Sequence, residues 1–327
     1  MYTGSSRLPH FIVVGAMKAG TSSLHHILSR HHEIFFAERE IYFFDMDDVE
    51  QHPDFFMDHQ GQWRFQDYKD DCKEQLAYYG RFFEQSIDGQ LIGERSSTYM
   101  ASAKVPPRMA RLLPEVKLIF MLRDPVTRAY SHYWHLVSTG RATYDFEATL
   151  RHTPGTILQR GYYKKQIERY QKFFPVNHLK FIIFDEFIQD PQSCIDNLCE
   201  FLGLRTSIDL GLVDTRRNVG VAPRSLRLKL RENRKNRKAA EEIYRGYLPT
   251  LTLDRKTLSS FSRCIEFLSP TRLMSRMASL TPKRHYPPMS DGVREFLERL
   301  YARDNMGLGD LIGIEVERFW PYMKYYR

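Results

Sequence analysis

Short apolar runs and amphipathic stretches alternate along the first 205 residues. Residues 11–14, Phe-Ile-Val-Val, form a β-branched run that stops at Gly15. Leu24, Ile27 and Leu28 then recur at helical spacing, which predicts a helix over 21–31. A brief apolar segment covers 91–93, and 107–113 reads as a helix with proline in its first turn. Residues 117–122 are nearly continuously apolar, the pattern of a strand buried on both faces. A helix is predicted over 127–137, another over 162–174 closed by Pro175, a strand over 179–184, and a helix over 191–202 ended by Gly203. Strands alternating with helices over this length predict an α/β fold, a parallel sheet flanked by helices on both faces. Beyond residue 204 the strand signal fades, and 226–247, 255–268 and 293–311 read as helices. The expectation is a single domain over 1–327, with an α/β core over about 10–204 and a mainly helical C-terminal subregion over about 205–327.

Composition narrows the class. A hydrophobic share of 42% with 13% aromatics excludes global disorder. No apolar run approaches the ~20 residues of a membrane-spanning helix. The run 11–17 is short, and Lys18 and a glycine follow where a signal cleavage site would stand, so no signal peptide is expected. Cys72, Cys194, Cys199 and Cys264 form no CxxC pair, and the expectation is free buried thiols in a reducing compartment, with neither disulfides nor zinc. The net charge of +8 is concentrated: ten basic residues lie between Arg216 and Lys238 against one acid, Glu232. Two readings stand, a solvated basic helix or a surface that attracts an anionic ligand. Aromatic interleaving and nucleic-acid motifs are missing from this stretch, so nucleic acid is not an expected partner.

The chemistry-bearing signal is Gly15-Ala-Met-Lys18-Ala19-Gly20-Thr21-Ser22-Ser23, placed between the first strand and the first helix. A strand that turns through glycines into a helix aims unpaired backbone N–H groups and the positive helix end at one spot, which suits phosphate or sulfate. The glycine spacing is that of a nucleotide-triphosphatase P-loop, but Thr21 stands where that loop has its lysine, and the lysine has moved inside the loop to Lys18. The fold is therefore expected to be P-loop-like. There Lys18 can reach the bridging oxygen between a donor group and its phosphate. A second element is Arg123-Asp124-Pro125 at the end of the strand 117–122, with Ser131 two turns into the next helix. An arginine at the carboxyl end of a parallel strand lines the ligand crevice of such sheets. Guanidinium and hydroxyl together suit a second phosphate; a structural ion pair of Arg123 with an acid is the other reading.

With these two elements in hand, the sequence resembles sulfotransferases that use 3′-phosphoadenosine 5′-phosphosulfate, in the branch of the heparan-sulfate enzymes and their bacterial relatives. Residues 37–45, Ala-Glu-Arg-Glu-Ile-Tyr-Phe-Phe-Asp, are similar to that family's acidic-aromatic segment. Glu94-Arg95-Ser96-Ser97-Thr98-Tyr99 is similar to its Glu-Lys-Ser-Xaa-Xaa-Tyr segment, and Val105-Pro-Pro-Arg108 precedes the second element in the family's order. The likeness spans about residues 10–204 and is weaker around Arg217-Asn218 and Arg224. It implies that Lys18, Ala19, Gly20, Thr21 and Ser22 hold the 5′-phosphosulfate, that Arg123 and Ser131 hold the 3′-phosphate, and that adenosine 3′,5′-bisphosphate is the product. It implies Glu40 as general base, with Lys18 and Arg95 at the reacting centre. Tyr42 stands where some heparan-type enzymes carry histidine, and Arg95 where they carry lysine. A guanidinium keeps the charge but donates no proton.

Sulfuryl transfer resembles phosphoryl transfer in needing positioning and charge stabilisation, and the lower charge of a sulfonate calls for no metal. His132 and His135 are alternative bases, whereas His25, His26, His31 and His32 are expected to decorate the first helix and its exit. Tyr162 is a candidate wall for adenine, and Arg217 and Asn218 candidates to close over the nucleotide. The acceptor is left open among glycan, lipid and secondary metabolite, and so is oligomeric state. A bacterial-type cytoplasmic enzyme is expected, a truncated luminal domain being the other reading. Two other functions compete: a P-loop small-molecule kinase, and a non-catalytic anion- or nucleic-acid-binding protein using the basic stretch.

Overall fold

The computed structural model describes residues 7–56, 62, 63, 65, 67–69, 73–212, 222–235 and 285–326. Its centre is a five-stranded parallel sheet. β1 (Phe11–Gly15) lies between β3 (Leu91–Arg95) and β4 (Lys117–Leu122), with β2 (Ile34–Phe36) outside β3 and β5 (Leu179–Ile183) outside β4. Every residue of β1 and the stretch from Leu118 to Leu122 in β4 is buried, because helices cover both faces of the sheet. The sheet, its parallel sense and the flanking helices are as the hydrophobic pattern predicts. β2 is the strand that the pattern misses. It has three residues, too few for any period to show.

From β1 the chain first builds outward on one side, through α1 (Thr21–Leu28), β2, α2 (Lys73–Gly80) and β3. It then passes through α3 (Val105–Leu112) to β4 on the other side of β1, and continues through α4 (Pro125–Ser138), α5 (Phe146–His152), α6 (Gly155–Gln159) and α7 (Tyr163–Gln171) to β5. The direction of growth reverses between β1 and β4. Ligands bind at such a reversal, outside the carboxyl ends of the strands. The loop after β1 meets the end of β4 there: Ala16 N donates to Met121 O at 2.7 Å, and the β1–β4 register shifts between Val13 and Gly15.

Asp124 starts α4 as a cap, its carboxylate accepting from the amides of Val126 at 3.1 Å and Thr127 at 3.2 Å, with Pro125 next in line. After β5 come α8 (Phe184–Gln189) and α9 (Pro191–Leu202); α9 ends on Gly203 in the left-handed conformation. The helix expected over 226–247 appears as α10 (Leu226–Lys235), its remainder and the helix expected over 255–268 lying outside the described residues.

The stretch 293–311 is two helices, α11 (Asp291–Asp304) and α12 (Leu308–Ile312), instead of the single predicted one. The break has a cause in tertiary bonding. Asn305 turns inward, fully buried, to donate to Gly161 O at 2.9 Å and accept from Lys164 N at 3.2 Å, and Gly307 takes φ 75°. α11 and the residues after it pack on the core. Tyr322 donates to Asp124 Oδ1 at 2.7 Å, and Trp320 Nε1 to Asp185 Oδ2 at 3.2 Å. Cys199 is a buried free thiol and Cys194 a half-exposed one, while Cys72 and Cys264 lie outside the described residues.

Candidate functional site

The loop after β1 is shaped by residues that leave the usual backbone regions. Gly15 has φ 147°, Lys18 φ 70° and Gly20 φ 92°. Gly20 caps α1 and has no side chain to offer, so the first amides of the helix point outward without a capping oxygen. A Cβ at Gly20 would come within 2.7 Å of the Phe184 ring, and one at Gly15 within 3.0 Å of Ser97 O. Only glycine fits both places. A lysine in the left-handed region costs about 1 kcal/mol or more, and such outliers persist where the surroundings enforce them. Desolvation lowers the Lys18 ammonium from its ordinary pKa, Arg123 lowers it further, and Glu40 acts in the opposite sense.

Arg123 leaves the end of β4 toward this loop. Its Nε donates to Thr127 Oγ1 at 3.2 Å, its Nη1 to Lys18 O at 3.4 Å, and its guanidinium lies 5.1 Å from the Phe184 ring centre. Ser131, buried, stands one turn beyond Thr127 on α4. Among the described residues Arg123 makes no ion pair, which answers the alternative of a structural salt bridge with Asp124. Asp124 is instead committed to the α4 cap and to Tyr322.

A third wall comes from β3 and the segment after β2. Arg95 Nη1 donates to Ser22 Oγ at 2.7 Å, while its buried Nε has no partner. Glu40 accepts from Ser97 N at 2.8 Å and from Tyr42 Oη at 2.5 Å. Burial alone would raise the Glu40 carboxyl, but the Arg95 charge and these hydrogen bonds more than offset it, so its pKa lies below the usual value. Glu40 is therefore ionised at neutral pH. The segment carrying it is held from behind. Ser96 Oγ accepts from Ile41 N at 3.1 Å and Tyr42 N at 3.0 Å, and donates to Glu94 at 3.0 Å. Glu94 also accepts from Tyr99 Oη at 2.7 Å and from Tyr79 Oη. Fully buried, it is pushed up to about 7 by desolvation, although these donors pull it down.

The structure thus brings Lys18, Ala19, Gly20, Thr21, Ser22, Arg95, Glu40 and Arg123 together, with Ser131 one turn beyond Thr127 on α4. Tyr162 is turned elsewhere: its ring packs 5.7 Å from that of Tyr301 on α11, and the next residue, Tyr163, is the one that meets the crevice, donating to Arg123 O at 2.8 Å. Arg217 and Asn218 lie outside the described residues. His132 and His135 flank the crevice from α4. Desolvation, with the charges of Arg160 and Arg128, holds His132 well below its ordinary pKa. Desolvation, with Lys18 and Arg160, lowers His135 to about 4. Both rings are neutral at pH 7. Of the first-helix histidines, His25 and His31 are tied rather than solvated, bonding Ala37 O and Thr206 O, each at 2.9 Å.

Sequence reading missed Thr127, Tyr163, Phe184 and Arg160. Thr127 alone left a trace, standing four residues before Ser131. Of the basic stretch, α10 packs on α4 through Asn233, whose Nδ2 donates to Val137 O at 3.0 Å and Ala142 O at 2.8 Å, leaving Arg227 and Arg231 exposed. Among the described residues no helix is long and apolar enough to cross a membrane.

A parallel α/β sheet with a glycine-and-lysine loop at its reversal point, beside Arg123 and an ionised carboxylate, is a P-loop-like fold. The Sulfotransferase family model matches residues 9–207, and the chain belongs to that family. It is 29% identical over 214 residues to heparan sulfate glucosamine 3-O-sulfotransferase 3B1 of Homo sapiens, covering 63% of this chain and 49% of that protein. It is 27% identical over 219 residues to the bifunctional heparan sulfate N-deacetylase/N-sulfotransferase 2 of Homo sapiens, covering 61% and 22%. The chain spans about half the length of the first of these relatives or less. Among solved structures, a sulfotransferase from Alicyclobacillus acidocaldarius superposes with a TM-score of 0.51 at 28% identity, covering 73% of this chain and 96% of that one.

Proposed function

We propose that the protein moves a sulfuryl group from 3′-phosphoadenosine 5′-phosphosulfate to a hydroxyl or amine of a glycan, lipid or small-molecule acceptor. The observation that carries this reading is the pairing of Lys18, held left-handed at an uncapped helix start, with Arg123 across the crevice. The residues fit such a donor. Only glycine fits at Gly15 and Gly20, which leaves the loop backbone free to approach an oxyanion, and the buried Nε of Arg95 lacks an acceptor.

The donor supplies an activated sulfonate, and the chain supplies placement and charge. The amides of residues 18–22 and the Lys18 ammonium stabilise negative charge growing on the leaving 5′-phosphate. Arg123, with Ser131 beyond it, holds the 3′-phosphate. Glu40 receives the proton of the acceptor hydroxyl. Its oxygens accept from Ser97 N and Tyr42 Oη, and the Ser97 side chain bonds it as well. Because its carboxyl is held below the usual range, proton transfer is favourable only as the sulfonate moves and the hydroxyl acidifies. Arg95 fixes Ser22 and keeps Glu40 ionised. Arg217 and Asn218 complete the nucleotide side of the reading; Tyr162, whose ring packs on Tyr301, is not kept in it.

The single-domain organisation over 1–327 and a cytoplasmic location belong to the same proposal; limited proteolysis and cell fractionation check them. The deciding experiment is titration calorimetry with adenosine 3′,5′-bisphosphate, followed by radiolabelled transfer from the phosphosulfate donor and, in parallel, from adenosine triphosphate. Binding of the bisphosphate and transfer from the phosphosulfate alone are expected. Failure to bind the bisphosphate overturns the reading.

A further inference from the structure

Tyr42 is held in a conformation that its residue type disfavours. Its φ is 59°, in the left-handed region, where a bulky side chain is an outlier. Such a backbone costs about 1 kcal/mol or more and persists where the surroundings enforce it. Here the backbone and the ring are both held. Ser96 Oγ accepts from Tyr42 N at 3.0 Å and from Ile41 N at 3.1 Å. Tyr42 O accepts from Asp45 N at 3.3 Å, which opens the 3-10 turn Phe43–Asp45. The Tyr42 ring lies 4.7 Å from that of His52 and 5.8 Å from that of Phe55. His52 is itself fixed, stacked on Phe55 with ring centres 4.4 Å apart and with Nε2 3.0 Å from Asp45 Oδ2.

This reversal of the backbone has a chemical result. The phenol returns to the residue two positions earlier, and its Oη donates to Glu40 Oε2 at 2.5 Å. That is the length of a charge-assisted hydrogen bond to a carboxylate. Burial and the Glu40 charge raise the Tyr42 hydroxyl well above its ordinary pKa, so it keeps its proton and stays a donor at neutral pH. Phenylalanine would pack against the same two rings; only the hydroxyl reaches the base. We propose that Tyr42 is a positioning residue for transfer: held by Ser96 at its amide and by His52 and Phe55 at its ring, it fixes the Glu40 carboxylate in one orientation and keeps it anionic for the acceptor's proton. The inference rests on the sulfuryl-transfer reading and deepens its account of the base. Other charged or titratable groups act on Glu40 or feel its charge from each side: Arg95 at the end of β3, Lys18 in the loop after β1, His25 on α1 and His135 on α4. Asp45 and Arg160 are coupled to Tyr42 itself. Tyr42→Phe leaves all of them in place.

The test therefore compares Tyr42→Phe with the wild type. Carboxyl carbon-13 NMR of glutamate-labelled protein, with the Glu40 signal assigned by Glu40→Gln, follows the base without any acceptor. The Glu40 titration midpoint is expected to rise in Tyr42→Phe, because a hydrogen bond to the ionised form lowers a carboxyl and its loss lets the value climb back. Single-turnover transfer to a heparan sulfate oligosaccharide should slow about 10–100-fold, as for a lost hydrogen bond to a charged group. Affinity for adenosine 3′,5′-bisphosphate should not change. In a Glu40→Gln background the same substitution should leave the residual rate unchanged, since the hydroxyl acts through the carboxylate. If the melting curve shows that Tyr42→Phe fails to fold, Phe55→Leu, which loosens the ring and leaves the hydroxyl, decides by the same rise in midpoint. The midpoint also decides alone if the oligosaccharide is not an acceptor. An unmoved midpoint, an equal slowing in the Glu40→Gln background, or lost bisphosphate binding by folded Tyr42→Phe overturns the inference. Wild-type protein that binds no bisphosphate overturns the donor reading instead, and the midpoint still reports on the tie between Tyr42 and Glu40.

Discussion

Replacing Glu94 by glutamine removes one charge from the cluster that holds the Glu40 segment. Glu94 is fully buried, surrounded by the hydroxyls of Tyr79, Tyr99 and Ser96, with the charge of Asp45 nearby. Its pKa rises from 4.5 to about 7 on folding, desolvation being the larger cause. The folded state thus holds a proton that the unfolded chain has released between those two values, and stability falls as pH rises through that window. The separation amounts to about 3 kcal/mol of stability lost by the wild type between pH 4.5 and 8. Glutamine carries no such proton. Urea denaturation of both proteins across this range should show Glu94→Gln gaining on the wild type by about 2–3 kcal/mol toward the alkaline end. Taking the difference between the two proteins cancels the titration of all other groups. Amide exchange at Ile41 and Tyr42 should quicken in the variant, because Ser96 then loses the carboxylate that orients its hydroxyl. A stability difference that is flat with pH, or tilted the other way, refutes the reasoning.

Four further outcomes are expected. Lys18→Ala should fold and bind nucleotide but transfer about two to three orders of magnitude more slowly in single-turnover assays; near-normal turnover removes it from the reacting centre. Glu40→Gln should bind the bisphosphate normally by calorimetry and lose about 10²–10⁴ in rate; in the wild type, the acid limb of the rate profile should lie below the ordinary carboxyl value of 4.5, since Glu40 is held under it and loses function only on protonation. Arg123→Ala should weaken adenosine 3′,5′-bisphosphate by about 10–100-fold and adenosine 5′-phosphate hardly at all, equal losses contradicting the assignment. Gly20→Ala, at φ 92° and against Phe184, should cost about 1–2 kcal/mol in chemical denaturation and abolish nucleotide binding.

The parts of this molecule legible in its sequence are those fixed by local pattern. β1 and β4 are buried on both faces and read as continuous apolar runs, and the glycines and lysine of the loop lie within six consecutive positions. β2 is too short to carry a period, and the break before α12 depends on Asn305 reaching Gly161 across 144 positions. The same holds for the site. Lys18 and Arg123 stand out by their place after the strands β1 and β4, and Ser131 by its spacing from Arg123. Arg160 does not, because an arginine at a helix exit looks like any solvated one until Met17 and Gln51 close around it. Tyr162 and Tyr163 differ only in which side of α7 they enter, and no local signal tells them apart.

The bond from Tyr322 to Asp124 spans 198 positions and reaches the first turn of the helix that follows Arg123. Trp320 does the same for Asp185, whose charge acts on Arg123. Neither tether lies within the stretch that the family shares. During synthesis, the ends of β1 and β4 must wait for their final brace until the ribosome has passed residue 322. A fragment trimmed to the shared stretch would keep Lys18, Glu40, Arg95 and Arg123 and lose these struts.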